Sequence, residues 1–94
     1  MRASSDEVWV EATVRLPDTV DLHARPAADV VRAATGFDAT VRLGSGEREA
    51  DAKSLLAILA LGARRGTALR LRASGSDAES ALDALSSLIV SLED

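Results

Sequence analysis

Apolar and polar side chains alternate along several short stretches of the chain. In residues 8–16 every second side chain falls on one apolar face, formed by Val8, Val10, Ala12, Val14 and Leu16. Residues 39–43 and 68–73 alternate in the same way, and the polar segment 47–50 returns after a turn at Gly44-Ser45-Gly46. Strict alternation is typical of half-buried strands. We therefore expect four strands, with 47–50 at an edge of the sheet.

Three other segments repeat apolar residues at helical spacing. The first covers about 24–34 and must begin close to His23, because Pro26 is tolerated only in the first turn of a helix. A short helix is predicted over 54–61, stopped by Gly62, and a longer one after Ser76, which with Glu79 has the form of a capping box. The apolar stripe of this last helix is Ala78, Ala81, Leu82, Leu85, Leu88, Ile89 and Leu92.

The predicted order of elements is β-α-β-β-α-β-α. Strands with one apolar face need a cover, which three helices on that face supply. The fold class is therefore α+β, a two-layer open-faced sandwich whose other sheet face meets water. We expect residues 1–7 to form a flexible tail and residues 8–94 a single domain.

Composition narrows the class of protein. Among 94 residues, 47% are apolar but only one is Trp, one is Phe and none is Tyr, so the core is aliphatic and a nucleic-acid stacking surface is not expected. There is no Cys, hence no disulfide or thiolate metal site. Neither a signal-peptide core nor a bilayer-spanning run is present, which favours a cytoplasmic protein without membrane insertion. We also expect a monomer, because no long apolar stripe is left uncovered.

Charge is distributed unevenly. The net charge is −4, yet residues 22–76 contain nine basic and five acidic groups. A basic middle segment suits an acidic protein partner or a bound phosphate.

The only histidine, His23, falls where the first helix begins. Unpaired amides and the positive end of the helix dipole favour an anion at such a place. Arg25 adds a permanently charged group with several donors. A nucleophile beside an anion site suits phosphoryl transfer through a phosphohistidine. From these residues alone, a solvated or helix-capping His23 remains an alternative, whereas a metal site lacks suitably spaced ligands.

Two stretches of sequence resemble one known family. Residues 22–27, Leu-His-Ala-Arg-Pro-Ala, resemble the active-site signature of HPr, the histidine-containing phosphocarrier of the bacterial phosphoenolpyruvate:sugar phosphotransferase system. Residues 52–63 resemble that family's regulatory-serine region in order and spacing, and the likeness runs from about residue 8 to 92. The resemblance implies a four-stranded antiparallel sheet.

The resemblance also implies a function. His23 would be phosphorylated on Nδ1 by enzyme I, with phosphoenolpyruvate as the source, and would pass the group to a IIA component in sugar uptake. Arg25 and the amides of Ala24 and Arg25 would stabilise the phosphoryl group. The protein would then be a phosphoryl-transfer intermediate rather than an enzyme, with no cofactor and no metal.

The helix over 54–61 has two further candidate roles. Ser54 stands at the family's regulatory position, so a serine kinase is a candidate partner, although the residue alone is explained by a plain helix cap. The helix has more leucines than one buried face can hold, and exposed apolar residues near an active site favour docking. We expect Leu55, Leu56 and Leu59 to meet partner proteins.

One residue departs from the family pattern. The position two before the histidine is usually Gly in HPr and here is Asp21. Its carboxylate could hydrogen-bond the imidazole or repel an incoming phosphoryl group. Two alternatives to a general HPr stay open: a specialised paralogue in a nitrogen-related or dihydroxyacetone-kinase phosphorelay, which Asp21 favours, and a non-catalytic regulatory module that uses Ser54 and the 54–61 helix.

Overall fold

The observed elements follow the predicted order, β-α-β-β-α-β-α. The computed structural model describes residues 8–93, so the predicted tail over 1–7 lies outside the described residues. The elements are β1 (Val10–Arg15), α1 (Ala24–Thr35), β2 (Thr40–Ser45), β3 (Arg48–Asp51), α2 (Leu55–Leu61), β4 (Ala68–Ser74) and α3 (Ala78–Val90).

The four strands form one antiparallel sheet in the order β1-β4-β2-β3. Its inner face is built from rows of aligned apolar residues. In one row Leu71 lies between Ala12 and Leu43, and Leu43 in turn lies opposite Ala50. The polar strand β3 lies at an edge, as its sequence predicts.

The three helices cover the inner face of this sheet. Helix α3 lies against β1, β4 and β2, α2 lies against β3 and β2, and α1 packs on both other helices. The largest fully buried side chains are aliphatic: Leu16, Leu43, Ile58, Leu69, Leu71, Leu85 and Ile89. Burying such a side chain stabilises a fold by about 1.5–3 kcal/mol. The core is therefore aliphatic, and it supports the loops that carry His23.

The strand ends differ from the predicted ones by more than one residue in two places. Strand β1 begins at Val10, and Val8, assigned to the inner face, is 73% exposed. Strand β2 continues through Gly44 to Ser45, so the turn lies at Gly46, whose φ is 60°. Gly44 stays in the strand because it pairs with Glu49 on β3 and with Arg70 on β4, and the Arg70 guanidinium lies over it.

The capping-box prediction for α3 is wrong. The cap residue is Asp77 rather than Ser76, and its side chain makes no capping hydrogen bond. Its carboxylate instead accepts from the backbone amides of Asp38 at 2.9 Å and Ala39 at 2.8 Å. Contacts with a segment distant in sequence thus take the place of the predicted capping box. The predicted apolar stripe is confirmed over residues 78–89, with Leu88 partly buried and the rest buried, whereas Leu92 is buried but follows the end of α3 at Val90.

Candidate functional site

His23 lies exposed at the N-cap of α1. Its backbone is extended, with φ −114° and ψ −158°, and its side chain makes no capping hydrogen bond. Buried Leu22 precedes it and buried Pro26 follows, so the imidazole faces outward from an anchored backbone. A nucleophilic ring in this position is accessible to a second protein.

The first turn of α1 forms an anion site. The backbone amide of Ala27 donates to the carbonyl of His23 at 2.8 Å, which closes the first helical hydrogen bond. Pro26 has no N–H, so the amides of Ala24 and Arg25 are the two that precede this bond and lack an intrahelical acceptor. Such amides suit an anion next to the His23 ring. Arg25 is exposed beside them.

The loop before His23 is bonded to the loop that follows α2. The amide of Leu22 donates to the carbonyl of Ala63 at 2.9 Å, and the amide of Gly66 donates to the carbonyl of Pro17 at 3.1 Å. Val20 and Leu22 are both buried under this junction. Residues 62–66 are therefore held next to His23, although they lie about forty positions further along the chain.

Asp21 connects the same two loops through its side chain. Oδ1 accepts from the backbone amide of Arg65 at 2.7 Å, and the guanidinium of Arg65 donates to both carboxylate oxygens at 3.4 Å. The side-chain and backbone hydrogen bonds from Arg65 lower the pKa of the Asp21 carboxyl below its ordinary value of 3.8, so it is a carboxylate at neutral pH. The Asp21 carboxylate thus accepts its described hydrogen bonds from Arg65, while the Asp21 backbone carbonyl accepts from the amide of His23 at 2.9 Å.

A shallow depression opens beside His23. Its volume is about 270 Å³, and it is lined by Asp21, Leu22, His23, Leu59, Gly62, Ala63 and Arg64. Gly62 ends α2 in the left-handed conformation, with φ 62°, and the chain then continues along the side of the depression through Ala63 and Arg64. Sequence reasoning missed Arg64 and Arg65 as neighbours of His23. The available signal was a pair of arginines between two glycines, whose position depends on contacts between distant loops.

Ser54 lies at the other end of α2 from the depression. It is the N-cap of that helix, and its Oγ accepts from the amide of Ala57 at 3.2 Å. Seven helical residues separate it from Gly62, about 10 Å along the axis. The predicted capping contact is therefore present, and Ser54 as a whole is half-buried.

The leucines of α2 divide between core and surface. Ile58 and Leu61 are buried, whereas Leu55 is 40% and Leu56 is 80% exposed. Leu59 is partly buried and lines the depression. Of the three predicted docking residues, one thus borders the His23 site and two lie on open surface.

Within residues 8–93, no cluster of three or more His, Asp or Glu residues could hold a metal ion. No helix in the same range combines the length and the apolar character needed to cross a membrane.

Comparison with known proteins identifies the family. The model of the PTS HPr component phosphorylation site matches residues 10–91. The phosphocarrier protein HPr of Haloferax volcanii is 43% identical over 82 residues, which cover 85% of this chain and 92% of that protein. The crystal structure of an HPr from Bacillus anthracis superposes with a TM-score of 0.82 at 33% identity, covering 86% of this chain and 96% of that one.

A relative with a different name shares part of the sequence. The phosphoryl donor subunit DhaM of a phosphoenolpyruvate-dependent dihydroxyacetone kinase, from Providencia stuartii, is 43% identical over 67 residues. The match covers 71% of this chain and 14% of DhaM. The family match over 10–91, the HPr relatives and the shared fold lead to one conclusion: this chain belongs to the HPr family of phosphocarrier proteins of the phosphotransferase system.

Proposed function

We propose that His23 accepts a phosphoryl group from phosphorylated enzyme I, with phosphoenolpyruvate as its source, and passes it to a IIA component in sugar uptake. One observation carries the proposal: in a phosphocarrier chain, the only histidine lies exposed at the N-terminus of a helix whose first amides have no helical acceptor. The protein acts as a transfer intermediate and is returned unchanged after each cycle.

The transfer step exchanges one P–N bond for another. A lone pair on the His23 ring, assigned to Nδ1 by the family resemblance, attacks the phosphorus of a phosphohistidine on enzyme I. The donor's P–N bond breaks, and its electron pair remains on the donor imidazole. In the onward step a nucleophile of the IIA component attacks the same phosphorus. The P–N bond to His23 then breaks, and its electron pair remains on the His23 ring. The attacking nitrogen must be unprotonated.

The first turn of α1 stabilises the transferred group. The amides of Ala24 and Arg25 donate to phosphoryl oxygens, and the Arg25 guanidinium balances their charge. The exposed position of Arg25 beside these amides supports this role. Because donors that are fixed before the reaction need not reorganise, they favour the transition state.

Helix α2 provides the docking surface in this proposal. Leu55, Leu56 and Leu59 contact enzyme I and the IIA component in turn, and the exposure of the first two supports docking. Phosphorylation of Ser54 by a serine kinase places a dianion beside these leucines and opposes binding of acidic partners. The carrier in this account is residues 8–94, acting as a monomer in the cytoplasm.

A relay assay tests the proposal. The protein is incubated with enzyme I and radiolabelled phosphoenolpyruvate, and a purified IIA component is then added. The proposal expects label on this protein first and on the IIA component afterwards, with neither in the absence of enzyme I. Label that stops on this protein with every sugar-specific IIA component overturns the sugar-uptake assignment.

A dihydroxyacetone-kinase relay is the second candidate function. The 43% identity to part of DhaM and the presence of Asp21 favour it. The same assay discriminates, because a dihydroxyacetone-kinase subunit, or a IIA-like protein of a nitrogen-related relay, replaces the sugar-specific acceptor. Label that never reaches this protein leaves the third alternative, a non-catalytic module that uses Ser54 and α2.

A further inference from the structure

The proposed function uses Arg25 and leaves a second cation at the site without a role. Arg64 is exposed and lines the depression of about 270 Å³ that His23 also lines. The other lining residues are apolar or glycine, apart from Asp21. Arg64 therefore provides the positive charge of this depression.

Arg64 lies on a segment that the fold holds in place. Its neighbours on both sides are bonded to the loop before His23: the Ala63 carbonyl accepts from Leu22 at 2.9 Å, and the Arg65 amide donates to Asp21 at 2.7 Å. The Arg64 backbone carbonyl also accepts from Thr67 at 3.0 Å, closing a turn. Arg64 lies between two such anchors, so its backbone is held in place while its side chain is exposed.

The Asp21 carboxylate accepts its hydrogen bonds from Arg65 and not from Arg64. Its hydrogen bonds go to the backbone and guanidinium of Arg65. Asp21 and Arg65 therefore form a nearly neutral pair. Arg64 acts on Asp21 through its charge alone, since its guanidinium makes no hydrogen bond or ion pair with any described residue, and it therefore faces an anion in the depression without first breaking such a contact.

We propose that Arg64 is a second cationic ligand of the phosphoryl group on His23, and that Asp21 is a positioning residue which fastens the 62–66 loop to hold it there. The inference rests on the proposed phosphorylation of His23. It also gives Asp21, which stands where the family usually has Gly, a role other than hindering transfer.

The proposal predicts a change in an equilibrium constant, which distinguishes a phosphoryl ligand from a docking residue. A residue that contacts only the partner changes forward and reverse rates equally and leaves the equilibrium between the free proteins unaltered. A residue that contacts the phosphoryl group stabilises the free phosphoprotein itself. Its loss shifts the equilibrium towards the unphosphorylated form.

The experiment uses the whole protein with catalytic enzyme I, phosphoenolpyruvate and excess pyruvate. The fraction of phosphoprotein at equilibrium is read by intact mass for the wild type, Arg64→Gln and Arg70→Gln. Arg70 is an exposed arginine on the open sheet face and serves as the matched control. We expect Arg64→Gln to lower the equilibrium constant about fivefold, as for a partly solvated ion pair, and Arg70→Gln to leave it unchanged. An unchanged constant for Arg64→Gln, even with slower transfer, overturns the proposal.

Asp21→Gly tests the positioning role through a double-mutant cycle. If Asp21 holds Arg64 in place, the effect of Arg64→Gln shrinks to less than about twofold in the Asp21→Gly background. Independent, multiplicative effects of the two substitutions overturn the role of Asp21. A wild-type protein that gains no phosphoryl group at all contradicts the proposed function itself, an outcome distinct from either of these.

Discussion

Pro26 determines the position and the surroundings of His23. It occupies the third residue of α1, where the missing N–H costs no helical bond, and so it leaves the amides of Ala24 and Arg25 as the exposed donors. His23 and its helix start follow from the sequence for this reason. The pair Asp21 and Arg65 does not, because residues 44 positions apart meet only once the loops are folded.

The Arg25 guanidinium is predicted to speed phosphoryl transfer. Arg25→Gln should lower kcat/KM for enzyme I about tenfold, because one charge-assisted contact to the phosphoryl group is lost. Arg32→Gln is the control, since Arg32 lies in the last turn of the same helix and pairs with Asp29. Equal effects of the two substitutions would mean that the helix contributes only general charge.

Helix α2 joins a buried and an exposed apolar face in seven residues. Leu56→Ser should raise KM for enzyme I several-fold while leaving Tm within about 1 °C, because the side chain is 80% exposed and contributes little to the core. Val90→Ser on α3 is the matched control, at 58% exposure. An unchanged KM for Leu56→Ser contradicts the docking role of this helix.

The open sheet face has a charge arrangement that predicts a pH effect. Arg42 and Arg72 lie directly opposite each other on β2 and β4, and Glu49 accepts from both at 3.1 Å. Burial raises the pKa of the Glu49 carboxyl, but hydrogen bonds and charges of Arg72 and then Arg42 outweigh it, so the net pKa lies below the ordinary 4.5. This contribution to stability is complete above pH 4.5 and is lost as the pH falls through the lowered pKa.

Glu49→Gln should therefore lower the free energy of unfolding at neutral pH by about 0.5–1 kcal/mol. The deficit should shrink as the pH falls below 4.5 and through the lowered pKa of Glu49, because the wild-type side chain then becomes protonated and resembles Gln. Urea unfolding at neutral pH and at a series of acidic pH values measures this change, with Glu47→Gln in the same hairpin as control. A deficit that is constant with pH contradicts the ion-pair explanation.

At the scale of elements, the sequence predicts the features that depend on local spacing better than those that depend on contacts between distant residues. The order, the starts of α1 and α2 and most of the α3 stripe follow from spacing. The local motif places the cap of α3 at Ser76, whereas the cap is Asp77, and its carboxylate accepts from the amides of Asp38 and Ala39, a contact that no local motif reveals. The sheet order β1-β4-β2-β3 depends on the same kind of distant pairing.

The whole molecule has a net charge opposite in sign to that of its middle segment. The net charge of the chain is −4, whereas residues 22–76 have a net charge of +4. Arg25, Arg64 and Arg65 are among the basic residues of this segment. Attraction of an acidic donor to this region should make kcat/KM fall several-fold as ionic strength rises from about 0.05 M to about 0.5 M. Rapid-quench measurements of the phosphoryl-transfer rate at increasing NaCl test this dependence. A rate that is constant or rises with salt contradicts electrostatic docking.

The most direct test of the account is the mass of the protein after incubation with enzyme I and phosphoenolpyruvate, recorded before and after mild acid. We predict one phosphoryl group on the wild type, removed by acid as a phosphohistidine is, and none on His23→Ala. An acid-stable adduct, an adduct that persists in His23→Ala, or no adduct with the cognate enzyme I would contradict the assignment of His23 as the phosphoryl carrier.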